Sequence, residues 1–94
     1  MRFVGRDHVV ECMKKHADSR KALQAWLAEA EAATWRSPQD VRERYPSVDF
    51  VRKGLAVFDI KGNDYRLVAQ IAFNTGVVVV QRVGTHAEYD TWTL

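Results

Sequence analysis

The sequence predicts an α+β fold, with an N-terminal strand and helices packed on one face of an antiparallel sheet. Apolar residues recur at helical spacing through the first half of the chain, and from Phe50 onward the period shortens to that of strands. The strand-like half is interrupted by Gly62-Asn63-Asp64 and Asn74-Thr75-Gly76, spacers that favour hairpin turns. The 94 residues suit a single domain spanning residues 1–94, with no room for a second one.

Composition narrows the class. At 47% hydrophobic and 28% charged, the chain reads as folded and soluble rather than disordered. No apolar run approaches the roughly 18 residues of a transmembrane helix. The start Met1-Arg2-Phe3-Val4-Gly5 is interrupted by charge too soon for a signal peptide, so a cytoplasmic location without a membrane partner is expected. A net charge of +2 permits a nucleic-acid partner without demanding one. The single cysteine, Cys12, reads as a small core residue.

Taken in order, Phe3 and Val4 suggest a short first strand. Asp7 is a plausible N-cap for a helix from His8 to about Lys15, whose apolar face carries Val9, Cys12, Met13 and His16. Asp18 or Ser19 opens a second helix to about Ala33, with Leu23, Trp26, Leu27 and Ala30 as its buried stripe. Trp35 is expected to pack where that helix ends. Ser37-Pro38-Gln39-Asp40 reads as a third helix start, with a serine cap, proline in the first turn and an acid near the positive end of the dipole. It turns Val41 and Tyr45 inward, leaves Arg42 and Arg44 on its exposed side, and is stopped by Pro46. Leu55 to Ile60, Tyr65 to Phe73 and Val77 to Thr85 are the β-rich runs.

Side chains alternate along a strand, so parity sorts the polar residues. On the middle run the odd positions Tyr65, Leu67, Ala69, Ile71 and Phe73 are all apolar or aromatic, and are expected to face the helices. A loop Asn74-Thr75-Gly76 sets Phe73 opposite Val77 and puts Arg82, Gly84 and His86 on the outer face beside Arg66. A loop from Gly62 to Tyr65 sets Lys61 opposite Arg66. Lys61, Arg66, Arg82 and His86 then converge at one end of the outer face, with Val78 and Val80 covering the other. Such a cluster repels itself unless an anion sits within it, and a phosphate fits.

These residues also carry a family resemblance. Lys61-Gly62-Asn63-Asp64-Tyr65-Arg66-Leu67 and Arg82-Val83-Gly84-Thr85-His86-Ala87-Glu88-Tyr89-Asp90 resemble the HigB-type toxins, a branch of the RelE/ParE superfamily of bacterial toxin–antitoxin systems. The similarity extends to Trp35-Arg36-Ser37-Pro38 with Asp40-Val41 and to Tyr45-Pro46-Ser47. It implies a compact RelE-like fold and a ribosome-dependent, metal-free endonuclease acting on mRNA at the ribosome, and so inhibiting translation. It also implies silencing by a cognate helix-turn-helix antitoxin, with no direct DNA binding expected of the toxin alone.

RNA cleavage of that kind uses the substrate's own 2′-hydroxyl, leaving the protein to move protons and stabilise phosphate charge. His86 is the first candidate for acid or base, since imidazole as a side-chain type titrates near neutrality. Arg66 and Arg82 are candidates for clamping the phosphate, and Lys61 for positioning it. Tyr89 is a candidate for base stacking or proton transfer, and Asp90 for orienting His86 or contacting RNA. Asn63 is a turn residue first and an RNA contact second. Trp92 has three open roles: capping the core, stacking on RNA, or packing on another chain.

Two other readings keep the fold: a ParE-type toxin that blocks a protein target such as gyrase, and a degenerate module that only binds antitoxin. No metal or other cofactor is expected, because His8, His16 and His86 lie on unrelated elements without ligand spacing and no glycine-rich phosphate loop precedes a helix.

Overall fold

The computed structural model describes residues 1–94 throughout. Its elements run β1 (Arg2–Val4), α1 (Arg6–Lys15), a 3-10 turn (Ala17–Ser19), α2 (Arg20–Ala32), α3 (Pro38–Arg44), β2 (Asp49–Arg52), β3 (Leu55–Ile60), β4 (Tyr65–Ala72), β5 (Val77–Thr85) and α4 (His86–Tyr89). The strands form one sheet in the order β1-β5-β4-β3-β2. The α+β, RelE-like architecture expected from the sequence is the one observed.

Helix entry differs from expectation at α1. The first helix starts at Arg6, not His8, and Gly5 rather than Asp7 occupies its N-cap, with φ 86°. A Cβ at Gly5 would collide with the carbonyl oxygen of Val80, so glycine is required both for conformation and for space. Asp7 lies instead in the first turn, where its charge favours the helix dipole. Ser19 stands at the N-cap of α2, as expected, without a side-chain capping hydrogen bond. The Ser19 hydroxyl donates to the His16 carbonyl at 2.7 Å, while the Asp18 carboxylate accepts from the Tyr65 hydroxyl at 2.6 Å and from Lys61 Nζ at 3.0 Å. The third helix starts as read: Ser37 Oγ accepts from Asp40 N at 3.4 Å and Pro38 occupies the first turn. Arg44 pairs with Glu29 on α2, which removes it from the free basic surface.

The inner face of the sheet holds the main core. Leu23, Trp26, Leu27 and Ala30 are buried as expected, against Phe58, Leu67, Ala69 and Ile71. Phe58 is its centre, with ring centroids 5.2 Å from Trp26, 5.3 Å from Tyr45 and 6.2 Å from Trp35. The outer face carries a second, small cluster of Leu55, Val57 and Val68, covered by Tyr89, Trp92 and Leu94 from the C-terminal segment. Core capping is therefore the role Trp92 takes here.

The sheet departs from the expected meander. It is mixed rather than wholly antiparallel, because β1 joins it parallel to β5, with Arg2 opposite Val77. The edge strand β2 escaped the periodicity reading. Between β4 and β5 the partner of Val77 is Ala72 rather than Phe73, so the loop is one residue longer than expected. That change inverts parity and turns Val78 and Val80 into the inner core instead of onto the outer face. A register shift then follows, with Ala69 opposite Val80 but Val68 opposite Arg82, leaving Gln81 as the extra residue of a β-bulge. The bulge restores parity, and Arg82 faces outward after all. In the other hairpin Ile60 pairs with Tyr65, which sets Asp59, not Lys61, opposite Arg66.

Candidate active site

The strands bring two arginines to the outer face. Arg66 of β4 lies opposite Gly84 of β5, and Arg82 lies opposite Val68, one step along the same ladder. Diagonal neighbours of this kind are roughly 7–8 Å apart at their Cα atoms, within reach of long side chains. The C-terminal segment then folds back across both. It begins at Thr85, whose hydroxyl accepts from Glu88 N at 3.1 Å while the Glu88 carboxylate accepts from Thr85 N at 2.9 Å. This reciprocal capping box fixes the start of α4. The backbone hydrogen bond to Thr85 holds the Glu88 carboxyl below its usual range. His86 N donates to the Asp64 carbonyl at 3.0 Å, so the β3–β4 turn and α4 are tied together.

Gly84 makes the close crossing feasible. A Cβ there would stand 3.0 Å from both Trp92 Cζ2 and Glu88 Oε1. With only hydrogen at that position, the Trp92 ring lies down on the strand. Tyr89 and Trp92 pack edge to face at 5.9 Å, the Arg66 guanidinium stands 5.4 Å from the Tyr89 centroid, and the Arg82 guanidinium 5.5 Å from that of Trp92. Cation–aromatic contacts of this kind hold the two guanidinium groups while leaving hydrogen-bond donors free.

Beside this stack, His86 Nδ1 and Asp90 Oδ2 are 3.3 Å apart across one turn of chain, and the His86 and Tyr89 rings meet at 6.3 Å. Both members of the His86–Asp90 pair are solvent-accessible, at 44% and 60% of their side-chain surface. Engagement of Nδ1 by the carboxylate leaves Nε2 open to a substrate. The arrangement offers an imidazole able to move a proton next to two guanidinium groups able to bind a phosphate.

The structure thus gathers Arg66, Arg82, His86, Tyr89 and Asp90 on one surface. It does not bring Lys61 to Arg66: the Lys61 ammonium is engaged by Asp18, on the helix side of the sheet. The hydrogen bond from Tyr65, with Lys61 second, holds the Asp18 carboxyl below its ordinary range. Asn63 stays in the turn, and its contribution is the main-chain carbonyl, which accepts from Arg66 Nη1 at 3.3 Å. Cys12 is buried, and burial pushes its thiol up, as suits a core residue.

Sequence reasoning missed Asp59, whose carboxylate lies 2.7 Å from Arg66 Nη1. The signal was present, because a lone charge interrupts the otherwise apolar run Leu55-Ala56-Val57-Phe58-Asp59-Ile60.

Comparison with known proteins identifies the family. A family model described as HigB toxin, RelE-like toxic component of a toxin-antitoxin system, matches residues 19–92. The mRNA interferase HigB of Escherichia coli O6:H1 (strain CFT073) is 27% identical over 95 residues, covering 99% of this chain and 92% of that protein. The mRNA interferase toxin HigB of Escherichia coli K12 is 25% identical over 96 residues, covering 99% of this chain and 91% of its own. A Shigella flexneri mRNA interferase HigB matches at the same level, with 25% identity over 96 residues. With the family model matching well over half of its residues, the chain belongs to the HigB family of RelE-like toxins of toxin–antitoxin systems.

Proposed function

We propose that this chain is an endoribonuclease that cuts messenger RNA at the ribosome, using the 2′-hydroxyl of its substrate as nucleophile. The observation that carries the reading is the placement of His86, oriented by Asp90 at 3.3 Å, beside the outward-facing Arg66 and Arg82. The relatives named mRNA interferase support the same activity.

In this mechanism the 2′-oxygen attacks the adjacent phosphorus, and the bond to the 5′-oxygen of the next nucleotide breaks. The products are a 2′,3′-cyclic phosphate and a free 5′-hydroxyl. His86 moves a proton through Nε2, and Asp90 holds the ring in place. Arg66 and Arg82 bind the non-bridging oxygens, whose negative charge grows as phosphorus becomes five-coordinate. Tyr89 steadies Arg66 and presents an edge to a flanking base. Lys61, turned toward Asp18, adds to the local positive field rather than touching the phosphate.

A toxin of this family has a cognate antitoxin. A helix-turn-helix protein is the partner we propose, with DNA binding supplied by that partner.

The test is induction of the wild type and of the Arg82→Ala/His86→Ala double variant, with mRNA 5′ ends mapped after each. Cuts at fixed positions relative to codons are expected for the wild type and absent from the double variant. Growth arrest by the wild type with intact messages would overturn the reading, and DNA-damage signalling in its place would point to a gyrase-type target.

A further inference from the structure

The geometry points to Asp59 as the positioning residue that presents Arg66 to the scissile phosphate, an inference that rests on the endoribonuclease reading. Asp59 and Arg66 are direct partners across the β3–β4 ladder, and their side chains are only 26% and 15% exposed. Both protein contacts to the guanidinium fall on the same nitrogen. Asp59 Oδ1 lies 2.7 Å from Nη1, and the Asn63 carbonyl accepts from Nη1 at 3.3 Å. The Tyr89 ring flanks the group at 5.4 Å. One end of the guanidinium is therefore fixed from two directions, while Nη2 and Nε keep their hydrogens for an incoming anion.

A phosphate takes two parallel N–H donors from one edge of an arginine, and this restraint leaves such an edge unspent. An exposed arginine samples many rotamers and must be ordered when substrate binds. Arg66 is ordered beforehand, because strands hold both partners of the ion pair. Arg82 has no carboxylate partner and rests on Trp92 alone, so the two arginines are prepared to different degrees.

The sign of the effect separates positioning from simple charge. Removing a carboxylate from a cationic face speeds encounter with RNA if the carboxylate is only a neighbour. If Asp59 positions Arg66, its removal slows cleavage even though binding is unchanged or tighter.

The experiment is single-turnover cleavage of a messenger on programmed ribosomes by the wild type, Asp59→Ala, Asp59→Asn, Arg66→Ala and the Asp59→Ala/Arg66→Ala pair, each checked by thermal melting. Asp59→Ala is expected to lower the maximal rate by about tenfold or more, in line with the cost of misplacing a catalytic group, without raising the half-saturating ribosome concentration. Asp59→Asn keeps an acceptor for Nη1 and is expected to recover most of that loss; it also serves should Asp59→Ala not fold. In the Arg66→Ala background, the Asp59 substitution is expected to cost nothing further, because residues acting as a unit are not additive.

A rate for Asp59→Ala equal to or above that of the wild type overturns the inference. So does a loss that persists in full beside Arg66→Ala. If the wild type does not cut, or Arg66→Ala cuts as fast as the wild type, it is the parent reading of the site that falls.

Discussion

The two faces of the sheet are built from the same strands and are covered by different means. The inner face is sealed by helices over a continuous core of large side chains, with Trp26, Phe58 and Leu23 among the most fully buried. The outer face has three buried apolar side chains of its own and is covered by a short C-terminal segment that crosses it through Tyr89 and Trp92. The inner face is held by apolar area. The outer one is held by a few specific contacts: the Thr85–Glu88 capping box, the crossing at Gly84, and the arginine–aromatic stack. The main core and the candidate site are thereby separated by the thickness of one sheet, and substitutions on the two sides are expected to fail in different ways.

The largest effect belongs to the inner face. Phe58→Ala deletes a ring that is 1% exposed and touches Trp26, Trp35 and Tyr45. A loss of about 3–5 kcal/mol is expected in urea unfolding, from lost transfer energy plus the cavity. The folded fraction is expected to cleave at the wild-type rate, and a site lost ahead of the fold would break the separation.

Gly84→Ala probes the outer face. Its new methyl must displace Trp92 or the Glu88 carboxylate, each 3.0 Å away, and the latter is already committed to the capping box. Overpacking of this sort costs about 1–3 kcal/mol. Here the larger consequence is expected in cleavage, since displacing Trp92 releases Arg82 and disturbs Tyr89. Comparing the cleavage rate with the melting temperature of this variant checks the point, and a rate that follows only the stability loss would contradict it.

The smallest effect is a pH dependence confined to the inner side. The hydrogen bond to Asp18, aided by burial, pushes the Tyr65 phenol up to about 12 from an ordinary 10.0. A raised tyrosine pKa means that the native state favours the neutral phenol. Its contribution is complete below pH 10.0 and is lost as pH climbs through about 12. Tyr45, raised to about 12 chiefly by burial, adds to the same alkaline limb. Tyr65→Phe is therefore expected to shrink, not abolish, the alkaline fall in stability followed by far-ultraviolet circular dichroism. An unchanged limb would remove Tyr65 from that account.

The difference between the faces also explains what could be read in the sequence. The helix stripe at Leu23, Trp26, Leu27 and Ala30 and the odd positions of β4 alternate cleanly, so the inner core was legible. The four valines from Val77 to Val80 do not alternate and give no parity signal, so the register of β5 depends on the length of the loop before it. That loop is one residue longer than its turn residues suggest. The bulge at Gln81 cancels that difference, and Arg82 arrives on the expected face by a different route. A bulge at an ordinary glutamine leaves no mark in composition. The parallel pairing of β1 and the short edge strand β2 were also hidden, because both depend on partners distant in sequence. Lys61 and Asp59 were exchanged for a local reason: moving a four-residue turn by one position changes which charge stands opposite Arg66.

The parallel pairing of β1 with β5 bears on the order in which the molecule is made. The strand comprising residues 2–4 has a single neighbour in the sheet, and that neighbour comprises residues 77–85. Synthesis proceeds at roughly 5–20 residues per second from the N-terminus, so β1 waits unpaired until β5 has been translated. Arg82 lies within β5, and His86, Tyr89 and Asp90 follow it in the chain. The outer surface around Arg82 consequently cannot form until β5 has been made and paired.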